Sequence, residues 1–244
     1  MPSFNRSTTG KEVVAAFPSS VAGKTSISLA HGSPSQLILL GRSEARIAPV
    51  IEAIKGINAS ITTKLVLVDL ADQASIRAAA AKINDDAGIE RIDAVVNCAG
   101  IMARPTFEVT RDGIEAQFGV LEAGERGGAR VVNVSSTGFE LGPVRFEDWN
   151  FKEGKEYNEW LAYAQSKTGN VLFTAALAEK LKGKGVQSFA LQPGQSNLSK
   201  HVKPESWTSA LTIANETSGG KEVKMEQPKT LQEGAATPLV ARIY

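Results

Sequence analysis

The sequence predicts an α/β fold with a mostly parallel sheet, in one domain that covers residues 1–244. Short, buried apolar runs alternate along the chain with longer helical patterns, which is typical of strand–helix–strand units. Hydrophobic residues make up 42% of the chain and charged residues 22%, values of a globular protein with a sizeable core. This composition excludes a disordered chain, a collagen-like fibre and a coiled coil.

The alternation can be followed element by element. A short helix is predicted at 11–17. Strands are predicted at 36–40, 64–70, 92–97, 129–134 and 186–192, and longer helices at 43–57, 72–83 and 160–181. Asp72 is the candidate N-cap of the second of these longer helices. The polar segment 200–227 shows no period, so we expect an irregular loop there that acts as a substrate lid.

Charge and rare residues exclude several classes of function. Lys plus Arg (27) balance Asp plus Glu (26), so we expect no nucleic acid and no anionic membrane as partner. The one cysteine, Cys98, excludes an intramolecular disulfide and a cysteine metal cluster, and two histidines cannot build a His-rich metal site. No apolar run approaches the roughly 18 residues of a spanning helix. These observations predict a cytoplasmic protein without a metal.

Three candidate catalytic residues lie on the predicted helix at 160–181 or just after the predicted strand at 129–134. Tyr163 and Lys167 are four residues apart on the helix at 160–181 and therefore share one face. An ammonium beside a phenol favours the phenolate and lowers a pKa that is normally about 10, which would make Tyr163 an acid/base group. Ser136 follows a strand, where its hydroxyl could bond a substrate oxygen. Taken alone, the pair also fits surface packing, and Ser136 also fits a helix cap.

Four motifs in order give these residues a context. They are Asn-Cys-Ala-Gly at 97–100, Val-Asn-Val-Ser-Ser at 132–136, Tyr-Ala-Gln-Ser-Lys at 163–167 and Pro-Gly at 193–194. In order and approximate spacing they resemble the short-chain dehydrogenase/reductase family. The helix around Tyr163 resembles the retinol-dehydrogenase-like branch, especially its filamentous-fungal members. The resemblance runs from about Thr8 to Leu239 and implies a Rossmann-like, doubly wound fold.

The resemblance also implies an activity and a site. The chain would be an NAD(P)-dependent oxidoreductase that interconverts an alcohol and a carbonyl on a small hydrophobic substrate. Tyr163 would exchange the proton, Lys167 would lower its pKa and bind the nicotinamide ribose, and Ser136 would polarise the carbonyl. The cofactor would contact Arg42, Asp69, Leu70, Asn97, Ala99, Gly100, Tyr163, Lys167, Pro193 and Gly194.

The choice of cofactor depends on Arg42. This residue follows the strand at 36–40, and no acidic residue ends that strand to accept the ribose hydroxyls. The pattern favours NADP(H), while NAD(H) and a merely solvated Arg42 stay open. A homo-oligomer stays open as well.

The sequence departs from the family pattern in two places. The glycine-rich turn after the first strand is absent, and residues 24–40 offer 17 positions where a strand–helix–strand unit needs roughly 30. A second gap follows 117–120, where relatives continue with a helix that carries a catalytic asparagine. We therefore expect internal deletions that leave the fold incomplete at the first βα unit and at the helix after the fourth strand of the family fold, which corresponds to the strand at 92–97.

These departures keep a rival function open. Without the glycine-rich turn, the chain could be a catalytically silent, cofactor-poor binding or scaffold protein, or a defective gene model. A Ser-Lys hydrolase is excluded because the sequence has no Gly-x-Ser-x-Gly nucleophile elbow.

Overall fold

The fold is taken from a computed structural model, which describes residues 30–119, 130–194 and 202–219 together with the short pieces 5, 7–9, 12–13, 227–230 and 233–238. The strands are β1 (Gln36–Gly41), β2 (Thr62–Leu67), β3 (Ala94–Asn97), β4 (Arg130–Val134) and β5 (Gln187–Leu191). The helices are α1 (Glu44–Ile57), α2 (Gln73–Asn84), α3 (Ala116–Gly119), α4 (Glu159–Lys180) and α5 (Pro204–Thr217), and single 3-10 turns cover Ala30–Gly32 and Thr137–Leu141.

The predicted strands from residue 36 onward and the three predicted longer helices are confirmed to within a few residues. Asp72 is confirmed as the cap of α2, because its side chain accepts hydrogen bonds from the backbone N–H groups of Ala74 and Ser75. The helix predicted at 11–17 lies mostly outside the described residues.

The strands pair in parallel, as predicted, but they form two sheets. β1 pairs with β2, and β4 lies between β3 and β5 in the second sheet. Within the described residues no strand joins the two sheets. In the complete doubly wound fold the strand order is 3-2-1-4-5-6, and its first strand, which would precede our β1 in the chain, lies between these two groups. That is the position which the sequence analysis expects to be unfilled, and the expectation stays a prediction because residues 14–29 lie outside the described part.

Each sheet has its own apolar core. In the first, Ile38 of β1 and Val66 of β2 pack with Val68 and Ala79. In the second, Val131 of β4 packs against the end of α4 through Leu177 and Leu181. Burial of these aliphatic side chains stabilises the two sheets, and the parallel pairing brings the carboxyl ends of β3, β4 and β5 to one edge.

The connection between the second 3-10 turn and α4 contains a left-handed turn. Phe151, Lys152 and Glu153 have φ of +52°, +50° and +54°, and Gly154 follows with φ of +84°. Each of the three non-glycine residues costs roughly 1–2 kcal/mol in this conformation. The surrounding contacts must offset that cost.

The contacts that hold this turn come from Phe151 and from helix α4. The Phe151 ring is fully buried, with the Arg145 guanidinium 4.7 Å from its centroid and the Tyr157 ring edge-on at 5.8 Å. Gln165 of α4 is also fully buried: its oxygen accepts the N–H of Arg145 and its Nε2 donates to the carbonyl of Trp149, both at 3.0 Å. The loop is therefore fixed to the helix that carries Tyr163 and Lys167.

The expectation of an irregular segment at 200–227 is wrong for residues 204–217, which form α5. Pro204 occupies the start of the helix, where its missing N–H is no loss. Trp207, Ala210 and Ile213 recur every three residues and pack against α4. This short apolar stripe is masked in the sequence by the polar residues around it. Among the described residues, no helix combines the length and apolarity needed to span a membrane.

Candidate active site

Helix α4 carries both Tyr163 and Lys167 toward the carboxyl end of β4. The helix is capped by Asn158, whose side chain accepts the N–H groups of Trp160 and Leu161. Ser135, at the end of β4, donates from Oγ to the carbonyl of Lys167 at 2.9 Å. The helix is thus hydrogen-bonded to the strand end at the turn that carries the two candidate residues.

Ser136 and Tyr163 are brought together, as the sequence analysis expects. The Ser136 side chain lies beside the Tyr163 phenol, and its interaction with the phenol lowers the pKa of Tyr163. Ser136 also caps the 3-10 turn that follows β4, because its Oγ accepts the N–H of Gly138 at 3.1 Å. A Cβ at Gly138 would lie 2.6 Å from Cε1 of Tyr163, so glycine is required for the ring to reach Ser136. The cap interpretation of Ser136 is confirmed, and its role as a site residue stays a prediction.

The pKa of Tyr163 moves in the direction opposite to the expected one. Burial raises the pKa of the phenol above its ordinary value, and the interaction with Ser136 opposes this shift. Burial also lowers the pKa of Lys167. The Lys167 ammonium lies over the Tyr163 ring, 5.5 Å from its centroid. Burial, which the spacing of residues does not reveal, therefore keeps Tyr163 protonated at neutral pH.

Lys167 lies between the end of β4 and the loop after β3. Its Nζ donates to the carbonyl of Val134 at 3.1 Å. Nδ2 of Asn170, one turn further along α4, donates to the same carbonyl at 3.2 Å. A Cβ at Gly100 would lie 3.7 Å from Lys167 Nζ, so the backbone of the Asn-Cys-Ala-Gly motif passes directly beside the ammonium.

A chain of buried amides and hydroxyls supports these strand ends. Asn97 Nδ2 donates to Asn133 Oδ1 at 2.8 Å, between β3 and β4. Asn133 is 1% exposed, and its Nδ2 donates to Thr174 Oγ1 of α4 at 2.9 Å. The sequence analysis missed Asn133 and Thr174 as site-supporting residues. The signal was a polar side chain in an otherwise apolar strand, since such a residue is buried only when it is hydrogen-bonded.

The other proposed cofactor residues follow the carboxyl ends of their strands. Arg42 is exposed just after β1. Asp69 lies shortly after β2, where its carboxylate accepts the N–H of Ala71 at 3.0 Å, and Leu70 packs on the core of the first sheet. Ala99 is exposed after β3.

Pro193 and Gly194 follow β5. Gly194 has φ of +90°, and a Cβ there would lie 2.7 Å from Cδ of Lys229, so the lysine chain packs directly on this glycine. The proposed cofactor residues thus lie at or just after the carboxyl ends of β1 to β5. Some of them belong to the first sheet and some to the second, and within the described residues no strand pairs with both sheets.

The structure does not describe the positions of the two expected gaps. The segment 22–25, where the glycine-rich turn is expected, and the residues after Gly119 lie outside the described part of the chain. The described helix between β3 and β4 has four residues, Ala116–Gly119. Among the described residues, no group of three or more His, Cys, Asp or Glu side chains is arranged to hold a metal ion.

Comparison with known proteins gives this geometry a family context. Residues 23–121 match the family described as short chain dehydrogenase. Retinol dehydrogenase 13 of Homo sapiens is 34% identical over 209 residues, which are 79% of this chain and 62% of that protein. Retinol dehydrogenase 11 of Mus musculus is 34% identical over 204 residues, 78% of this chain and 58% of that protein. The chain therefore spans less than two thirds of the length of these relatives.

Solved structures share the fold. The NADP active-site complex of RhlG from Pseudomonas aeruginosa aligns with a TM-score of 0.61 and 16% identity, covering 93% of this chain and 92% of that one. L-Sorbose reductase from Gluconobacter frateurii, complexed with NADPH and L-sorbose, aligns with a TM-score of 0.58 and 14% identity, covering 90% and 89%. The fold is Rossmann-like α/β with parallel sheets, and the chain is similar in sequence to short-chain dehydrogenases, the retinol dehydrogenases among them.

Proposed function

We propose that the chain is an NADP(H)-dependent oxidoreductase that interconverts an alcohol and a carbonyl on a small, apolar substrate. The observation that carries the proposal is the contact of a buried tyrosine with a serine at the end of a parallel strand, beside a lysine ammonium. Ligands of parallel α/β sheets bind at this edge. The sequence similarity to retinol dehydrogenases and the fold shared with an NADP complex support it.

Each residue has one role in the proposed reaction. Tyr163, protonated because burial raises its pKa, donates its proton to the carbonyl oxygen during reduction and accepts one during oxidation. The Ser136 Oγ already accepts the N–H of Gly138, so its own hydrogen is available to the phenol or to the substrate oxygen. Lys167 holds its ammonium against the Val134 carbonyl beside the loop at 97–100.

The residues present fit the nicotinamide half of a dinucleotide. Ala99 and Gly100 are exposed, and Gly100 lies beside the Lys167 ammonium, which a ribose hydroxyl would contact. Asn97, Pro193 and Gly194 would border the same half, while Arg42, Asp69 and Leu70 would border the adenosine end. When bound, the nicotinamide supplies or accepts the hydride.

The wall above Tyr163 supports an apolar substrate. Tyr163 belongs to a cluster with Trp160, Ala103 and Ala210, and the partly buried side chains of Met102, Leu141, Val202, Trp207 and Ile213 pack against it. This places α5, within the segment proposed as a lid, beside the proposed proton donor.

One observation favours the silent alternative, a binding or scaffold protein that keeps the site but holds cofactor poorly. Residues 24–40 offer 17 positions where a strand–helix–strand unit needs roughly 30, and the pyrophosphate of a dinucleotide normally binds at the first turn of that unit. Each lost N–H contact to that anion is worth about 1.5–3 kcal/mol, so losing two or more weakens NADPH binding by about a thousandfold.

A binding titration combined with a rate assay separates the two functions. Purified protein that melts cooperatively is titrated with NADPH, and then reduction of a series of apolar aldehydes and ketones is followed. Micromolar NADPH binding and turnover are expected for the oxidoreductase. A folded protein that binds no NADPH below the millimolar range and turns over none of the carbonyls would overturn this proposal in favour of the silent protein.

A further inference from the structure

A second polar cluster lies where the first turn of α5 meets the first turn of α4. The Ser206 hydroxyl donates a hydrogen bond to the carboxylate of Glu159. Trp160 Nε1 donates to the same hydroxyl at 2.9 Å and to the carbonyl of Ser206 at 2.7 Å. One serine of α5 is thus bound by two successive residues of α4, and we call these three residues the clasp.

The clasp begins a column of aromatic rings that ends at the proposed proton donor. Trp207, next to Ser206, has its ring centroid 4.8 Å from that of Trp160, with 42° between the planes. Trp160 is 3% exposed and meets the Tyr163 ring edge-on at 6.0 Å. Such ring pairs are geometrically specific, so a shift of one ring changes its contact with the next.

Within the part of the chain that the structure describes, the first turn of helix α5 has few other polar contacts. Lys203, at its N-cap position, makes no side-chain capping hydrogen bond. The apolar contacts of Trp207 and Ile213 with the Tyr163 cluster leave both side chains partly exposed. A hydrogen bond to a carboxylate is stronger than a neutral one, so the Ser206–Glu159 bond is the strongest fixed point of this turn.

We propose that Ser206 is a positioning residue, which through Glu159 and Trp160 fixes Trp207 as the apolar wall beside Tyr163. The kinetic consequence rests on the proposed oxidoreductase function, whereas the structural consequence does not. Loss of the hydroxyl removes the hydrogen bond to Glu159 and one of the two hydrogen bonds from Trp160 Nε1, the one to the Ser206 hydroxyl. The first turn of α5 then moves, the two indoles separate, and the wall that an apolar substrate contacts is lost.

Circular dichroism of the two neighbouring indoles, Trp160 and Trp207, tests the structural part without any assay of activity. Two indoles in contact couple and give a paired positive and negative band, which Trp207→Phe should abolish and Trp149→Phe should leave in place. Ser206→Ala is expected to lose most of this couplet, and Ser206→Thr, which keeps a hydroxyl, to restore it. Thr208→Ala is the matched control, because Thr208 Oγ1 bonds the carbonyl of Pro204 in the same helix.

Two outcomes of that experiment would overturn the proposal. One is a wild-type couplet in a cooperatively folded Ser206→Ala protein, and the other is an equal loss in Thr208→Ala. If Ser206→Ala does not fold, Glu159→Gln decides instead, because it keeps the shape of the acceptor and removes its charge. A weakened couplet is then expected, and an unchanged one would overturn the proposal.

The kinetic part separates positioning from general damage. In Ser206→Ala the KM for an apolar carbonyl is expected to rise about tenfold, the loss of one charge-assisted hydrogen bond, while kcat and the KM for NADPH stay within about twofold. A fall in kcat with unchanged KM would contradict the assigned role. If even the wild-type protein reduces no carbonyl, the proposed function fails, and the circular dichroism still decides whether the clasp fixes Trp207.

Discussion

The two sheets of this protein are stabilised in different ways. The sheet of β1 and β2 packs on an apolar cluster that includes Ile38 and Val66, and its proposed cofactor residue Arg42 is exposed. The sheet of β3, β4 and β5 contains a buried polar chain through Asn133, which joins two strands to the helix of Tyr163. Hydrogen bonds therefore join these strands to the helix that carries the proposed catalytic side chains, whereas the proposed cofactor-selecting side chain, Arg42, is exposed.

Because of this difference, we expect the two sheets to differ in how well they tolerate amino-acid substitutions. Apolar contacts have no fixed direction, so a strand of the first sheet can shift slightly without losing them. Buried amides lose a hydrogen bond when either partner moves, and an unpaired buried polar group is costly. We expect the second sheet to tolerate little change and the exposed strand ends of the first to accept substitutions readily. Four experiments can break or sharpen this contrast.

The largest effect is expected at Tyr163. Tyr163→Phe keeps the ring that packs on Trp160 but removes the proposed proton donor. The chemical step should fall by roughly 10²–10⁴-fold, because general acid catalysis contributes that much. Single-turnover rates of carbonyl reduction measure it. Activity within threefold of wild type, in a variant with an unchanged melting temperature, would remove Tyr163 from its proposed role.

The next largest effect is expected at Asn133, on stability. Asn133→Ala removes the acceptor of Asn97 and the donor to Thr174 inside the second sheet. The free energy of unfolding should fall by about 2–3 kcal/mol, the cost of leaving buried polar groups unpaired. Ile38→Val, at an equally buried position in the first sheet, should cost about 0.5–1.5 kcal/mol. Denaturant titration compares the two, and a larger loss for the isoleucine variant would reverse the contrast.

The pH dependence follows from the burial of Tyr163. Because burial raises the pKa of the phenol above its usual value of about 10, the group stays protonated between pH 6 and 9, roughly the neutral range. Reduction uses the protonated form, so its rate should stay flat across this range. Oxidation uses the phenolate, so its rate should rise about tenfold per pH unit without a plateau. A plateau of the oxidation rate near pH 7 would show that the phenol has a lowered pKa instead.

The smallest effect is expected at Arg42. Arg42→Ala should raise the KM for NADPH threefold to tenfold, roughly, because an exposed guanidinium is screened by water when it pairs with a phosphate. The KM for NADH should stay unchanged. Arg46→Ala, an exposed arginine on the following helix, is the matched control. Equal use of both cofactors by wild type and Arg42→Ala would assign Arg42 to solvent.

Elements with strong local signals could be predicted from the sequence. The strand around Ile38 and the helix capped by Asp72 were found because apolar runs and a capping side chain are local features. Ser136, Tyr163 and Lys167 were proposed from motif order; the structure brings them near one another, and their catalytic roles stay predictions.

Features that depend on distant contacts could not be predicted in this way. Helix α5 looked irregular because its apolar stripe has only three members, and their partners lie on α4. The direction of the Tyr163 pKa shift depends on how deeply the phenol is buried, which no spacing of residues reveals. The roles of Asn133 and Ser206 likewise depend on partners 36 and 47 residues away in the chain.

The left-handed turn at 151–154 limits which substitutions can accumulate in this loop during evolution. Its positive φ values disfavour β-branched side chains at Lys152 and Glu153, while glycine and asparagine adopt them readily. Phe146 and Trp149 precede the turn and are exposed, at 68% and 46%, so packing does not restrict their side chains. Variation among homologous chains should therefore collect at these two aromatic positions. Phe151 and Gln165, both fully buried, hold the loop against helix α4 whichever side chains occupy these two surface positions.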